Sequence, residues 1–399
     1  MNSKTFYLNP LFDLHIGDYP VDSVNQFAAE MSILFLPCCT STDSLLVDID
    51  IPDSYLSYIK DAGITLPKSI IRTKPSCTLS NSQGVAWGWS QQSIDRLTSA
   101  GAVCNPPPLE TVKKINNRKF CNEIGIENNF GVPGSEFCMS MFDFQKAVDA
   151  LKSEFPLVIK PAFGGSGFGI KVVNSIEEIQ ASRGHIENCI HHGGFTLEPW
   201  CKRIYDLSTN LYLNSKGAIE NMRHQRLFSN DYGSFFGIYL SPHDSLIEKW
   251  RHRLSETAIR AAEEISKTGY FGPLGFDSFV YKSKDSGEYL APVIEINGRH
   301  VMSHIAYAIR DQIAPGKHCF FRMISKKRCN LPDNYELWKK ATASLPNTFL
   351  MTPLRIRHLT EWIQPLKSGV FIFAETEKEL FETDSKLRQI VEKKKKNLD

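Results

Sequence analysis

Hydrophobic and polar positions follow two periods along this chain, and the elements they predict alternate between helix and strand. Phe144, Val148 and Leu151 recur at helical spacing and predict an amphipathic helix over residues 140–153. Leu246, Trp250, Leu254, Ala258, Ala261 and Ile265 carry the same stripe and predict a long helix from about Asp244 to Lys267. Further helices are predicted over Ser93 to Ala100, over Leu109 to Ile124, and from about Glu377 with Leu380, Leu387 and Val391. Asn174 or Ser175 caps one more, beginning Ile176-Glu177-Glu178. Strand-like runs occupy residues 155–160, 170–173, 207–213, 218–223, 276–281, 289–296 and 369–373, and the apolar runs Ile33–Leu36 and Val85–Trp89 read as two more. Asn214 to Gly217 and Asp285-Ser286-Gly287 are turn signals that join neighbouring runs into hairpins.

Pro106-Pro107-Pro108 stops regular structure and marks a boundary. Residues 1–108 read as an irregular N-terminal α/β domain, and 109–195 as a small lobe of strand, glycine-rich loop, strand and helix. Residues 196–399 read as a larger lobe with a strand–helix extension at its end. The class is α/β with α+β lobes.

With 399 residues, 42% hydrophobic and 23% charged, the chain can bury two or three cores. A formal net charge of +2 gives no reason to expect a nucleic-acid partner. The one markedly basic run, Lys393 to Lys396, reads as a solvated tail. Ten cysteines show no C-x-x-C spacing, and the adjacent Cys38 and Cys39 suit no disulfide framework, so a reduced, intracellular chain is expected. No secretory leader and no apolar stretch long enough to span a bilayer is apparent, which predicts a cytoplasmic protein without a membrane partner.

Candidate chemistry concentrates in Gly275-Phe276-Asp277-Ser278-Phe279 and Val293-Ile294-Glu295-Ile296-Asn297-Gly298-Arg299. Residues two apart in a strand share a face, so Glu295 and Asn297 present oxygens to one side. A hairpin centred on Ser286 pairs Asp277 with Glu295 and gathers three hard oxygen ligands, a set suited to Mg²⁺ holding phosphates. Lys160 closes a strand and is followed by Gly164, Gly165, Ser166, Gly167 and Gly169, a loop whose amides can approach phosphate without Cβ obstruction. A strand on either side makes this loop a flap, unlike a Walker A loop or a Rossmann turn. Glu198-Pro199-Trp200-Cys201 links the lobes. Its backbone can read an adenine edge and Asp206 can accept from ribose, against a plain reading in which Glu198 pairs with a nearby Lys or Arg. Arg223, Arg226 and Arg299 supply planar forks for carboxylate or phosphate, Arg299 standing nearest the oxygen cluster. His224 and His300 read as structural histidines. The Tyr232 to Gly237 stretch reads as a surface loop, with a mobile lid as the alternative.

In this order, over roughly residues 109–310, the motifs resemble the ATP-grasp superfamily, preceded by an N-terminal pre-ATP-grasp domain. The resemblance also takes in Arg118 or Lys119 ahead of Gly131-Val132-Pro133. The wording Glu-Ile-Asn-Gly-Arg and the early Gly88-Trp89 are more loosely similar to peptide ligases of the pheganomycin type. The resemblance implies ATP between two lobes, with Lys160 and either Arg118 or Lys119 on its phosphates. Pro199, Trp200 and Cys201 would lie at adenine, Glu198 on its amino group and Asp206 on ribose. Two Mg²⁺ ions would be held by Asp277, Glu295 and Asn297, with Glu295 bridging.

It further implies an ADP-forming carboxylate–amine ligase that passes through an acylphosphate, acts on amino acids or small peptides, and assembles as a homodimer. Arg299 would neutralise phosphoryl charge and Arg223 would hold the carboxylate or tetrahedral intermediate. The alternatives are a small-molecule kinase or carboxylate–thiol ligase of the same fold, or a nucleotide-binding regulator without turnover.

Overall fold

The apolar runs assemble into three main sheets. The computed structural model describes residues 3–21, 26–72, 82–165, 167–230, 233–283, 287–358 and 361–392. Ser166, Cys77, Tyr232, Asp285, Ser286 and the Lys393 to Lys396 run lie outside the described residues. The N-terminal sheet is parallel, in the order Ser69–Arg72, Ser44–Val47, Lys4–Tyr7, Gln83–Ala86. Ile33–Leu36 is buried as expected but belongs to the 3₁₀ helix Ser32–Cys38 and not to a strand. A short run that is apolar throughout fits a buried turn of helix as well as a buried strand. Here the Ser32 hydroxyl donates to the Ala29 carbonyl at 2.6 Å and carries on from the preceding helix, Gln26–Met31.

The smaller antiparallel sheet runs Glu136–Cys138, Phe195–Pro199, Leu157–Pro161, Lys171–Val173. Phe195, expected next to the start of the larger lobe, therefore pairs within the smaller sheet, and the chain leaves that sheet only after Pro199. Phe195 and Leu197 are fully buried against Phe144, Val148 and Leu151 of helix Met141–Leu151. Ser140 caps that helix and Ser175 caps Ile176–Ala181.

Leu109 to Ile124 is two helices, Leu109–Asn116 and Arg118–Asn128. Asn117 adopts an extended backbone between them, and its side chain accepts the Lys119 amide at 2.8 Å. The break turns the Arg118 amide onto the Ala162 carbonyl at 3.0 Å, and thereby aims the second helix at the glycine-rich loop.

The large antiparallel sheet has eight strands, in the order Glu288–Asn297, Gly272–Lys282, Lys202–Leu213, Ile219–Ser229, Phe235–Leu240, His318–Ser325, Lys367–Ala374, Thr348–Leu350. Helix Ser245–Lys267, capped by Asp244, buries Leu254, Ala258, Ala261 and Ile265. The last helix, Glu377–Val391, is fastened by a two-pronged pair from Arg322 to Asp384 at 2.5 and 2.6 Å. Three strands that follow helix Met302–Ile313 thus belong to the large sheet, while Ile356–His358 and Glu361–Ile363 pair by themselves.

No disulfide forms among the described residues, where Cys38, Cys39, Cys104, Cys121, Cys138, Cys189, Cys201, Cys319 and Cys329 are all free. No helix among them is long and apolar enough to cross a membrane.

Candidate active site

Asp277 lies opposite Glu295 in the ladder between the Gly272–Lys282 and Glu288–Asn297 strands, and opposite Ser208 on its other side. The pairing is reached by an irregular route. Nearer the turn, Phe279 pairs with Ala291, so Pro292, Val293 and Ile294 all stand opposite Ser278. Pro292 has no amide to donate. The Ser278 hydroxyl donates to the Pro292 carbonyl at 2.7 Å, and the Val293 amide turns away to Phe130 O at 3.3 Å. An insertion of two residues preserves the alternation of faces, so Asp277, Glu295 and Asn297 all reach one cavity of about 490 Å³. The Asn297 amide nitrogen is 3.5 Å from Asp277 Oδ2. Burial, followed by the neighbouring Glu295 carboxylate, pushes the Asp277 carboxyl well above the usual carboxylate range, against the lowering effect of Arg299.

Two carboxylates and an amide oxygen are hard donors that fit Mg²⁺. No group of three His, Cys, Asp or Glu at metal-binding spacing occurs among the described residues, and the set here contains two of those types and an asparagine.

The basic residues are held by specific partners. Arg118 is buried, donates to Glu295 Oε1 at 2.8 Å, and donates to the carbonyls of Pro161 at 2.5 Å and Gly164 at 3.1 Å. Lys119 is half exposed, lies 3.9 Å from Glu123 and lines neither of the two larger cavities. Of the two alternatives, Arg118 alone faces the acidic pair. Lys160 and Glu198 form a buried ion pair, and Ser135 donates to the second Glu198 oxygen at 3.3 Å. The plain expectation for Glu198, a lysine partner, is what the geometry contains.

Arg299 makes a two-pronged pair with Asp13 at 3.1 and 2.9 Å, across 286 residues of sequence. Its segment is fixed by Asn116, which accepts the Gly298 amide at 2.9 Å. The His300 amide donates to Trp87 O at 2.8 Å and His300 Nδ1 lies 3.0 Å from Ala86 O, clamping the N-terminal sheet to the large lobe.

Arg223, expected to touch substrate, lies away from the cavity. It pairs with Asp311 at 2.8 Å, stacks over Tyr307 and does not line the cavity. It shares a strand face with the cavity-lining Leu227, but four residues of strand separate them by about 13 Å, and helix Met302–Ile313 supplies its partners. Arg226 is likewise structural, joined to Asp244 at 2.6 Å and to Glu377. His224 bridges Thr209 and Ser255, and burial lowers it to about 4.

The flap closes one wall. A Cβ on Gly165 would stand 2.7 Å from Asp13 Oδ2, so a larger residue there would push on the carboxylate that holds Arg299. Gly167 has φ +83 and packs near Ser234. Phe168 meets Tyr19 edge-on at 5.5 Å. Gly233 and Phe235, from the stretch read as a surface loop, line the cavity.

Trp200 and Asp206 line it too. The Trp200 amide is committed to Pro156 O at 2.8 Å, and Asp206 takes an ion pair from Arg203 at 3.3 Å. Pro199, Cys201 and Gly164 do not line it; the Pro199 carbonyl is 3.7 Å from the Cys201 thiol, and the Gly164 carbonyl faces Arg118. A neighbouring cavity of about 300 Å³, lined by Arg118, Gly131 to Ser135 and Glu198, shares Lys160 and Ile294 with the larger one.

Pattern reading alone does not reach Asp13, Trp87, Asn116, Ser208 or Lys367. Nor does it reach the buried Asn210, Gln225 and Ser303, whose side chains leave Asn210 Oδ1, both Gln225 amide atoms and Ser303 Oγ without hydrogen-bond partners. Asn210 and Ser208 share the face of Asp277 through the ladder, a signal visible only once register is known.

No family model matches the chain. It is 27% identical over 287 residues to the [butirosin acyl-carrier protein]–L-glutamate ligase of Niallia circulans, covering 70% of this chain and 65% of that protein. It is 24% identical over 287 residues to the urea amidolyase of Saccharomyces cerevisiae, covering 63% of this chain and 14% of that protein. The chain thus spans less than two thirds of the length of either relative.

Among solved structures, N5-carboxyaminoimidazole ribonucleotide synthetase of Thermus thermophilus aligns over 98% of this chain and 99% of its own, with a TM-score of 0.59 at 11% identity. The ADP complex of PurK, an enzyme of the same name, aligns over 98% and 96% with a TM-score of 0.56 at 12% identity. The biotin carboxylase domain of Hydrogenobacter thermophilus 2-oxoglutarate carboxylase, solved with MgADP, ADP and bicarbonate, aligns over 94% and 87% with a TM-score of 0.56 at 11% identity.

Proposed function

We propose that this chain, whose fold is the ATP-grasp fold, is an ATP-dependent ligase. It would join a carboxylate to an amine through an acylphosphate, with release of ADP and phosphate. The observation that carries the reading is the convergence of Asp277, Glu295, Asn297, Lys160 and Arg299 on one cavity beneath a glycine-rich flap. The printed name of the Niallia circulans relative supports an amino-acid or aminoacyl substrate.

A carboxylate is a poor electrophile because its leaving group would be oxide. In the first step a carboxylate oxygen bonds to the γ-phosphorus and the bond to the β-phosphate oxygen breaks, releasing ADP. In the second an amine nitrogen bonds to the carbonyl carbon, the carbon–oxygen bond to phosphate breaks, and the nitrogen gives a proton to water. Phosphoryl transfer needs positioning and charge neutralisation more than a protein nucleophile.

Arg299, held flat by Asp13, would face the transferring phosphoryl group. Arg118 would orient Glu295, and Lys160 would bind phosphate oxygens in exchange for Glu198. Asp277, Glu295 and Asn297 would hold Mg²⁺, which when bound neutralises phosphate charge. The flap would keep water from the acylphosphate. Two Mg²⁺ ions, a homodimer and a cytoplasmic location go with the reading.

Incubation with MgATP and pools of acids and amines tests it. Substrate-dependent release of ADP and phosphate, with hydroxamate formed when hydroxylamine replaces the amine, is the expected result. Phosphorylated product without hydroxamate would make the protein a kinase, and ATP binding without any substrate-dependent release would make it a regulator.

A further inference from the structure

Four cationic side chains line the large cavity: Lys160, Arg203, Arg299 and Lys367. Three are neutralised within the protein, by Glu198, Asp206 and Asp13. Lys367 has no acidic partner among the described residues. Its ammonium lies 5.5 Å from the centre of the Phe27 ring, and burial lowers its pKa. Glu30, on the same short helix as Phe27, is occupied by other donors: it accepts from Gln26 at 2.6 Å, from the Leu366 amide at 2.7 Å and from the backbone amide of Lys367, not from its ammonium. The surrounding wall is apolar, with Leu8, Leu11, Phe27, Met31, Phe235 and Ile238.

A half-buried ammonium beside an apolar wall is unfavourable unless something brings it an anion. The Lys367–Ala374 strand stands five strand spacings from the Asp277 strand in the large sheet. That is about 24 Å in a flat sheet and less in a curved one. An anion at Lys367 therefore meets the cavity from a different strand than the one that carries Asp277.

We propose that Lys367 is the distal anchor of the substrate site, and that one substrate is an elongated molecule with an apolar body and a second anionic group remote from its reacting end. This rests on the ligase reading for which end reacts. The anchor itself is defined by the unpaired cation and the wall beside it. A small peptide or an acyl chain ending in a carboxylate can lay an apolar body on the wall and bring a second anionic group to Lys367.

Binding of adipate, suberate, sebacate and dodecanedioate is measured by calorimetry in the presence of MgADP, each beside the monocarboxylate of equal length. Wild-type protein is expected to prefer at least one longer diacid by about tenfold over its monoacid. Lys367→Met should remove that preference and Lys367→Arg should keep it. Lys367→Met should also melt at or above the wild-type temperature, because it deletes an unpaired, partly buried charge. Equal binding of diacid and monoacid at every length, or a preference that survives Lys367→Met, would overturn the proposal. Parallel assays of ADP release keep the two readings apart. A lysine-dependent preference without turnover removes the ligase reading alone, and turnover without the preference removes the anchor alone.

Discussion

At the end of the cavity where the Gly272–Lys282 and Glu288–Asn297 strands meet, Arg118 answers Glu295, Asp13 answers Arg299, and Glu198 answers Lys160. At the other end a single ammonium, Lys367, stands beside Phe27 and an apolar wall drawn mostly from the N-terminal domain. Balanced charges hold side chains in fixed positions before a polyanion arrives, which is what phosphoryl transfer requires. An unbalanced charge beside apolar surface recognises rather than reacts, because its partner comes with the ligand. On the proposed reading, the contrast separates a chemistry end built of paired charges from a recognition end built of one cation and an apolar wall.

The largest effect is expected at the acidic pair. Asp277→Asn or Glu295→Gln should lower turnover by about 10³-fold with the thermal midpoint largely kept, as steady-state kinetics and calorimetric melting would reveal. Next in size, Arg118→Ala should cost about 10²-fold because it leaves Glu295 unpaired, while Lys119→Ala and Arg223→Ala should stay within about twofold of wild type. Equal losses for Arg118 and Lys119 would undo the choice between them. Gly165→Ala should cost about tenfold in kcat by pressing a methyl group into Asp13 and loosening Arg299. Asp13→Asn should behave alike, and the two changes together should cost little more than either alone.

The smallest effect concerns pH and the frame around the chemistry end. Burial lowers His224 and His300 to about 4 and His304 to about 3, so all three stay neutral in the fold. Unfolded, they take up protons below about pH 6.5. The stability they lend is complete above that pH and declines as pH falls toward 4, by about 1.4 kcal/mol per unit for each residue. Asp277 and Glu30, raised in the fold, run the other way, while His15 and His185, lowered by burial, add to the histidine side. Urea midpoints should therefore drop between pH 7 and pH 5, and His224→Gln should flatten the slope.

How much of this could be read from the sequence divides along the same line. Asp277, Glu295 and Asn297 were legible because strand alternation is strict and two apolar runs flank one turn. The pairing came out right through a compensation: the regular part of the hairpin centres one residue before Ser286, and the extra residues opposite Ser278 restore the register. Helix stripes and caps were legible for the same local reason. The Asn117 break was not, because its cause is the distant Ala162 carbonyl. Ile33–Leu36 was ambiguous by length, since burial on every side erases periodicity. Asp13, Trp87 and Lys367 carry no local pattern, and only tertiary folding brings them to the cavity. The partners of Arg223 were not legible, because its sequence position says nothing of which helix covers it.

On the proposed mechanism a substrate carboxylate oxygen attacks the γ-phosphoryl group in this cavity. Turnover of an acid carrying ¹⁸O in its carboxylate, followed by mass spectrometry of the released phosphate, tests it most directly. Phosphate bearing one ¹⁸O atom per turnover is expected; amide product accompanied by unlabelled phosphate would rule the mechanism out.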